Sequence, residues 1–424
     1  MSAGAAGVLA TLDPAAHGAL PLGLLGAARW TTWLLKRVPA ALYRPFEADV
    51  DLPITVVVPV YQEDPAVLAG ALRTWRQEGV AEVVLVVDVT DRACLAVARR
   101  AVAVRDGAPG VRIVVTGVPG KRHALHLGWE AARTPLVALV DSDTFWAPDT
   151  ARRLRMPFAD AGIGGVAARQ NVHRPRGLLQ RVTDIYLDYR YFDELSGQTV
   201  AGRSVSCLSG RTAVYRREIL QRVADDFLAE TFLGVPCMSG DDKRLTSLTA
   251  QLGYATVLQR SARVWSTFPG TPRSFVRQRV RWARNTWRSD LRALLLDRWV
   301  WRHPFLAFCM LDKAVGAVTL LAGPVYLVAA AARGDVRFVL ALVAWWWVSR
   351  AVRILPHLRR RPSSVLFVPV FVLVTFVMAV LKLWALATVR RQRWLTRDVA
   401  VVDGAVLRTG TAALEAVPAG AVAS

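Results

Sequence analysis

From residue 54 onward the sequence alternates apolar runs with segments of helical spacing. ITVVVPV (54–60), VVLVVDV (83–89), RIVVTGV (112–118) and PLVALV (135–140) are rich in branched apolar residues. Between them, residues 65–78, 91–105 and GKRHALHLGWEAAR carry apolar positions at helical spacing. Strands alternating with helices of this length argue for β-α-β units and a mostly parallel sheet, an α/β fold. Runs that are apolar throughout, not alternately, suit strands covered on both faces.

The fourth run stops abruptly at Asp141, Ser142 and Asp143. Open α/β sheets bind ligands at the carboxyl ends of their strands. Carboxylates one residue apart there can act together. One accepts a hydrogen bond from a sugar hydroxyl, and the other holds a divalent cation that bridges two phosphates. Mg²⁺ favours one or two carboxylates plus substrate phosphate oxygens. The alternative is that the two residues merely cap a turn and the next helix. The sequence has no Gly-rich phosphate loop and no G-x-G-x-x-G, so neither a P-loop nor a dinucleotide enzyme is supported. Phosphate charge would then be met by a metal and basic side chains.

Composition bears most on the chain beyond residue 304. The 424-residue chain is 53% hydrophobic, with a mean hydropathy of +0.30, too apolar for an ordinary soluble enzyme. Residues 304–332 and 336–354, separated by Arg333, Gly334 and Asp335, read as a hairpin of two membrane spans. HLRRRPSS (357–364) then falls in the cytosol, and 365–389 is a third apolar stretch, interrupted by Pro369 and carrying Lys382. Basic residues on both of its flanks conflict with a single crossing; a re-entrant or broken segment would resolve the parity. Residues 18–35 are apolar around Arg29 and read as an interface helix or a short tilted span.

The formal charge is +21. Much of the Arg lies beside the apolar stretches, at Arg288, Arg292, Arg298 and Arg302 and at Arg359, Arg360 and Arg361. That favours an anionic membrane surface over nucleic acid. Cys94, Cys207, Cys237 and Cys309 form no Cys-x-x-Cys pair, so neither a zinc site nor a disulfide framework is expected, and a reducing cytosol suits the globular part. No cleavable signal peptide is read.

Three further motifs carry chemistry. SVSCLSGRTAVYRR (204–217) reads as a strand leading from a Gly turn. SGDDKRLTSLTAQLG (239–253) reads as a turn opening a helix, with Ser239 or Asp241 as N-cap. Residues 272–290 form a basic amphipathic helix containing QRVRW, in which Gln278, Arg281 and Trp282 project from one face. An amide, a planar fork and an indole together suit a diphosphate and a sugar ring. The alternative is an interfacial helix with Arg among headgroups and Trp in the aromatic belt.

The pieces PVYQED, VVDVTD, GKRHA, DSD, SCLSG, FLGVPCMSGDDKRLT, QRVRW and WLTR, in this order between about Ile54 and Arg397, resemble the membrane-embedded processive glycosyltransferases of family 2. The likeness is greatest to hyaluronan synthases, with chitin-oligosaccharide and cellulose synthases further off. It implies a GT-A fold, a UDP-sugar donor, Mg²⁺ or Mn²⁺, inversion at the anomeric carbon, a growing polysaccharide as acceptor and a channel for it in the same polypeptide. It places Tyr61, Glu63 and Asp88 around the uracil, Lys121 at the donor or its phosphates, Asp141 at the nucleotide and Asp143 on the metal. Asp242 matches the general base, with Asp241 the lesser candidate. Gln278, Arg281 and Trp282 would hold diphosphate and acceptor at the channel mouth, and Trp394, Thr396 and Arg397 would close over the donor. The expected setting is the plasma membrane, multi-pass, with a cytosolic catalytic domain and lipid contacts; oligomeric state is left open.

Segments 1–50 (tail and membrane or interface helix), 51–270 (GT-A domain), 271–303 (interface helices), 304–398 (spans and closing motif) and 399–424 (tail) follow from this reading. Three departures bear on the product. Arg211 follows Gly210 where the resemblance expects Pro, Leu395 stands where Gly is usual, and two clear N-terminal spans are reduced to one segment. An enzyme adding one sugar to a membrane lipid is the alternative. A catalytically silent scaffold would have no use for the intact DSD, GDD and QRVRW set.

Overall fold

The computed structural model describes residues 23–104, 107–391, 399–402 and 405–408. The strands before residue 270, in chain order, are β1 (Ile54–Val60), β2 (Val80–Asp88), β3 (Gly110–Thr116), β4 (Leu136–Leu139), β5 (Thr144–Trp146), β6 (Ile163–Val172), β7 (Ala213–Arg216), β8 (Thr231–Phe232), β9 (Val235–Pro236) and β10 (Ala255–Ser266). Eight of them form one sheet in the order β3-β2-β1-β4-β7-β6-β10-β5, while β8 and β9 pair separately. β1 lies parallel to β2 and β4, β2 to β3, and β6 to β10; β7 runs antiparallel to both neighbours and β5 antiparallel to β10. The mostly parallel α/β sheet expected from the alternation is therefore present.

Alternate residues of one strand feed opposite faces. Val56, Val58 and Val60 join one buried cluster with Leu68, Trp75 and Cys94, whereas Val57 joins another with Trp129, Tyr215 and Phe227. Each such aliphatic side chain contributes about 1.5–3 kcal/mol on burial. The helix Pro65–Trp75 starts where the sequence dictates: Asp64 accepts from the Ala66 N–H at 2.7 Å and Pro65 takes the first helical position. The helix Lys121–Ala131 lies so close to β1 that a Cβ on Gly128 would sit 2.2 Å from Val57 Cγ1.

The expected strand at 204–217 is confined to β7. The backbone before it is engaged elsewhere: the Ser206 N–H donates to Gln198 Oε1 and the Leu208 N–H to Thr246 Oγ1, each at 2.8 Å. Strands β6 and β10 have no counterpart among the apolar runs, because both carry polar residues that the fold pairs internally.

Among the described residues, two segments are long and apolar enough to cross a membrane, Pro304–Ala332 with 29 residues and Pro362–Ala387 with 26. The helix Val336–Arg353, the second member of the expected hairpin, is less apolar than these two: its 18 residues include Arg337, Arg350 and Arg353. The N-terminal helix Leu24–Ala41 also falls outside that class; its Arg29 and Lys36 both bind Asp312 on the first long helix. Both ends of the second apolar segment are tied to the globular part. Just before it, Arg361 binds Asp184 and His357 Nδ1 lies 2.6 Å from Asp188. Just after it, Arg284 donates to the Thr388 hydroxyl at 2.9 Å and Arg288 to the Val389 carbonyl at 3.3 Å.

Candidate active site

β1, β2 and β4 end along one edge; Asp88 is the last residue of β2, and Tyr61, Glu63, Asp141 and Asp143 follow the ends of β1 and β4. The turns brace one another. Ser142 Oγ donates to Glu63 Oε2 at 2.7 Å, and Asp88 Oδ1 accepts from the Thr90 N–H at 2.9 Å and hydroxyl at 2.6 Å. A cavity of about 430 Å³ opens there, and all five residues line it with Lys121, Asp241, Gln278 and Arg281. Thr267 Oγ1 donates to Asp143. Asp141 and Asp143 are hard oxygen donors one residue apart in this cavity, a set that fits Mg²⁺ or Mn²⁺.

Lys121 joins two motifs far apart in sequence. Its Nζ lies 2.7 Å from Asp141 and 2.8 Å from Asp241. Burial would lower the ammonium pKa, but the two carboxylates outweigh it and push it up. Burial would likewise raise the Asp241 carboxyl, but Lys121 holds it below its ordinary value. Lys121 and Asp241 are therefore both charged throughout the neutral range.

Neither Ser239 nor Asp241 caps the Asp241–Gln251 helix, contrary to the sequence expectation. Gly240 occupies the cap at φ +91°, a conformation that suits Gly, with no side-chain cap. Ser239 Oγ instead donates to Asn285 Oδ1 at 2.8 Å. Both aspartates are thereby released to the cleft. Asp242 is half-buried; its Oδ1 accepts from the Lys243 N–H at 2.8 Å, and its Oδ2 takes longer contacts from Cys207 Sγ at 3.4 Å and the Gly210 N–H at 3.5 Å. The neighbouring cations face elsewhere: Lys243 pairs with buried Asp290 at 2.8 Å, and Arg244 lies 3.7 Å from Glu230.

A second cavity of about 380 Å³ holds Asp242 and Trp282 and shares Lys121, Asp141, Arg211, Asp241 and Arg281 with the first. The helix Pro272–Leu291 supplies Gln278 to the first, Trp282 to the second and Arg281 to both. Its N-terminus follows the sequence, with Thr271 as cap and Pro272 at the first position. Burial lowers the Arg281 pKa despite Asp241 and Asp141 nearby. A third cavity of about 290 Å³ lies among the Leu24–Ala41, Leu178–Tyr189, Pro304–Ala332 and Val368–Ala387 helices. It shares Tyr186, Arg279, Lys313, Met378 and Lys382 with the second. Trp394, Thr396 and Arg397 lie outside the described residues.

Sequence reasoning missed Gln170 and Cys207 as cleft residues. Gln170 belongs to no motif, and Cys207 shows its relevance only through Asp242. Among the described residues, Asp184, Asp188 and His357 bring ligand-type atoms within 4.8 Å of one another. Their oxygens are already matched: Asn171 donates to both carboxylates, Arg361 binds Asp184, and Arg360 lies 2.8 Å from Asp188. Burial would raise the Asp188 carboxyl, but His357 and Arg360 hold it at about 2. This group fastens residues 357–361 to β6 and the helix beside it.

Residues 52–285 match the model of the family described as glycosyltransferase like family 2. A hyaluronan synthase of Streptococcus pyogenes is 27% identical over 401 residues, covering 92% of this chain and 94% of that protein. An N-acetylglucosaminyltransferase of Rhizobium meliloti is 30% identical over 377 residues, covering 85% and 84%. In fold, the chain is similar to a mannosyltransferase of Pyrobaculum calidifontis solved with GDP-Man and Mn²⁺, with a TM-score of 0.61, 22% identity, and 86% of this chain and 96% of that one covered.

Proposed function

The chain belongs to glycosyltransferase family 2, and from that premise we propose that it is an inverting processive enzyme of the plasma membrane, one that moves sugar from a UDP-sugar to a growing β-linked polysaccharide and passes the product through its own helices. The observation that carries this reading is the chain of three cavities, each sharing walls with the next, from the strand ends to the interior of the helical part. A single-transfer enzyme needs only the first two.

In this reading Tyr61, Glu63 and Asp88 hold the uracil, while Asp141 and Lys121 hold the ribose and phosphates. Asp143 holds Mg²⁺ or Mn²⁺, which when bound neutralises charge on the leaving diphosphate. Arg281 and Gln278 grip the same diphosphate from the interface helix. Trp282 provides a face for the acceptor sugar, and Asp242 takes the proton from its attacking hydroxyl. Inversion follows from direct displacement on the face opposite the diphosphate. The half-buried position of Asp242, beside rather than inside the Lys121 group, suits a base that must stay open to an acceptor. Trp394, Thr396 and Arg397 are proposed to close over the donor.

One observation favours the alternative acceptor, a membrane lipid. The second cavity is also lined by Leu295, Trp301 and Leu311, which are 66%, 51% and 43% exposed on the flank of the helical part. Incubating the purified protein with labelled UDP-sugars, singly and mixed, and sizing the product separates the two. Long polymer supports the channel reading; a single lipid-linked sugar supports the flank; no transfer from any donor overturns both.

A further inference from the structure

The second cavity contains a donor-rich corner that the roles above leave unused. The Arg211 guanidinium carbon lies 4.1 Å from the Phe268 ring centroid and 5.3 Å from that of Trp282. The two rings meet edge to face, their centroids 6.2 Å apart, and so wall the guanidinium on two sides. Among the described residues, the buried Arg211 Nε has no hydrogen-bond partner. Gln170 is 2% exposed, and its Nε2 is also without a partner. Its Oε1 is committed, accepting from Tyr191 and Ser209 hydroxyls at 3.2 Å each, so the amide N–H₂ is left over. Ser209 stands two residues before Arg211, which brings the amide and the guanidinium to the same corner.

The corner lies where the first two cavities join. Arg211 lines both, and Gln170 lines the second beside Asp242. A Cβ on the adjacent Gly210 would sit 3.1 Å from Lys121 Nζ and 3.4 Å from Asp241 Oδ2. Asp141 and Asp241 are already bound by Lys121, and no ion pair joins Arg211 to Asp242 among the described residues. Two unmatched buried donors, one of them a planar cation, are costly unless a ligand completes them. A guanidinium fork with an amide beside it matches a carboxylate. The aromatic wall offers a sugar ring a face at Trp282, beside the diphosphate grip of Lys121 and Arg281, with the guanidinium within reach of its carboxylate.

We propose that Arg211, supported by Gln170, is a specificity-determining pair that recognises the carboxylate of an acid-bearing sugar at the junction of donor and acceptor. This rests on the glycosyltransferase reading and deepens it, by making at least one sugar of the product acidic.

The test compares wild type with Arg211→Gln, Arg211→Lys and Gln170→Leu in nanodiscs. Turnover is read with UDP-glucuronic acid and UDP-N-acetylglucosamine separately and mixed, alongside UDP affinity and thermal unfolding. Arg211→Gln should lower use of the acidic donor about 10- to 100-fold, the range for losing a hydrogen-bonded charge partner. Neutral-donor turnover, UDP affinity and unfolding should hardly change, and Arg211→Lys should recover part of the loss. Equal losses with both donors, or a fall in UDP affinity, would overturn the proposal and make Arg211 a diphosphate or structural residue. Wild type that uses only neutral sugars would also overturn it, leaving the transferase reading intact. Titration with a glucuronate-ended oligosaccharide against its neutral counterpart decides the point without turnover. Preference for the acidic ligand that Arg211→Gln abolishes supports the pair, and no preference overturns it even if transfer itself fails.

Discussion

Charge is placed in opposite ways in the two halves of this molecule. In the sheet, the residues between Ile54 and Leu139 that reach the core are almost all apolar, and carboxylates gather where strands stop. Among the helices after Phe305, Leu340, Leu366 and Leu373 face outward at 64%, 77% and 64% exposure, while Asp312 and His357 are 7% and 2% exposed. The first half turns its apolar residues inward, as a surface against water requires, and the second turns many outward, as a surface suited to lipid would. These two buried groups are held by specific partners: Asp312 by Arg29 and Lys36, and His357 by Asp188. The difference teaches that one apolar signal means inside in the first half and outside in the second. The cleft lies where the two conventions meet, on the Pro272–Leu291 helix.

The sharpest break would come from Asp242→Asn. It should cut transfer by about 10²–10⁴-fold, the usual contribution of a general base, with UDP affinity retained by calorimetry. Equal loss of binding would assign Asp242 to the donor instead. Lys121→Met probes the charged group that links the motifs. Asp241 sits below its ordinary 3.8, so its stabilisation is present above that pH and is lost as the pH falls through the depressed value. Lys121 sits above its ordinary 10.5, so its share is present below that pH and is lost as the pH rises through the raised value. The variant should lose about 3 kcal/mol across the window between, seen as a lower unfolding midpoint that converges on wild type in acid. A deficit independent of pH would contradict the pairing.

Asp143→Ala should weaken metal-dependent UDP binding about tenfold, or about 1.4 kcal/mol, and chelation should add nothing further. Unchanged binding would remove Asp143 from the metal site. The smallest effect is expected at Trp282→Ala, which should slow elongation several-fold, about 1 kcal/mol for a lost stacking face, while donor hydrolysis continues. The reverse ranking would make Trp282 a membrane-interface residue and move that helix wholly into the lipid half of the comparison.

Much of the first half is legible in the sequence because its runs obey one rule. β1, β2, β3 and β4 are marked by branched apolar residues, and the Asp-Ser-Asp stop places the cavity. β6 is hidden by Gly164 and Gly165, which dilute its branched apolar residues; a Cβ on Gly165 would sit 2.5 Å from Leu208 Cδ1, so close packing demands the Gly. β10 is hidden by Arg260 and Arg263, whose charges rest over Tyr43 and Trp265. The helix start at Asp241 is read correctly but its cap is not, since Gly240 does by backbone conformation what a side chain was expected to do. Arg211 is visible as a departure from the family pattern, yet its role depends on Phe268 and Trp282, which only the fold brings beside it. In the second half, Val336–Arg353 reads as a span from its apolar middle, and Arg337, Arg350 and Arg353 near its ends set it apart from the two more apolar segments.

The most direct measurement is a cryo-EM structure of the protein with UDP and Mn²⁺. The account predicts the ion on Asp143, the uracil between Tyr61 and Asp88, and the diphosphate reaching Arg281, with Asp242 facing the same space from the acceptor side. Nucleotide density away from the strand ends, or an Asp242 carboxylate walled off from it, would contradict the convergence on which the assignment depends.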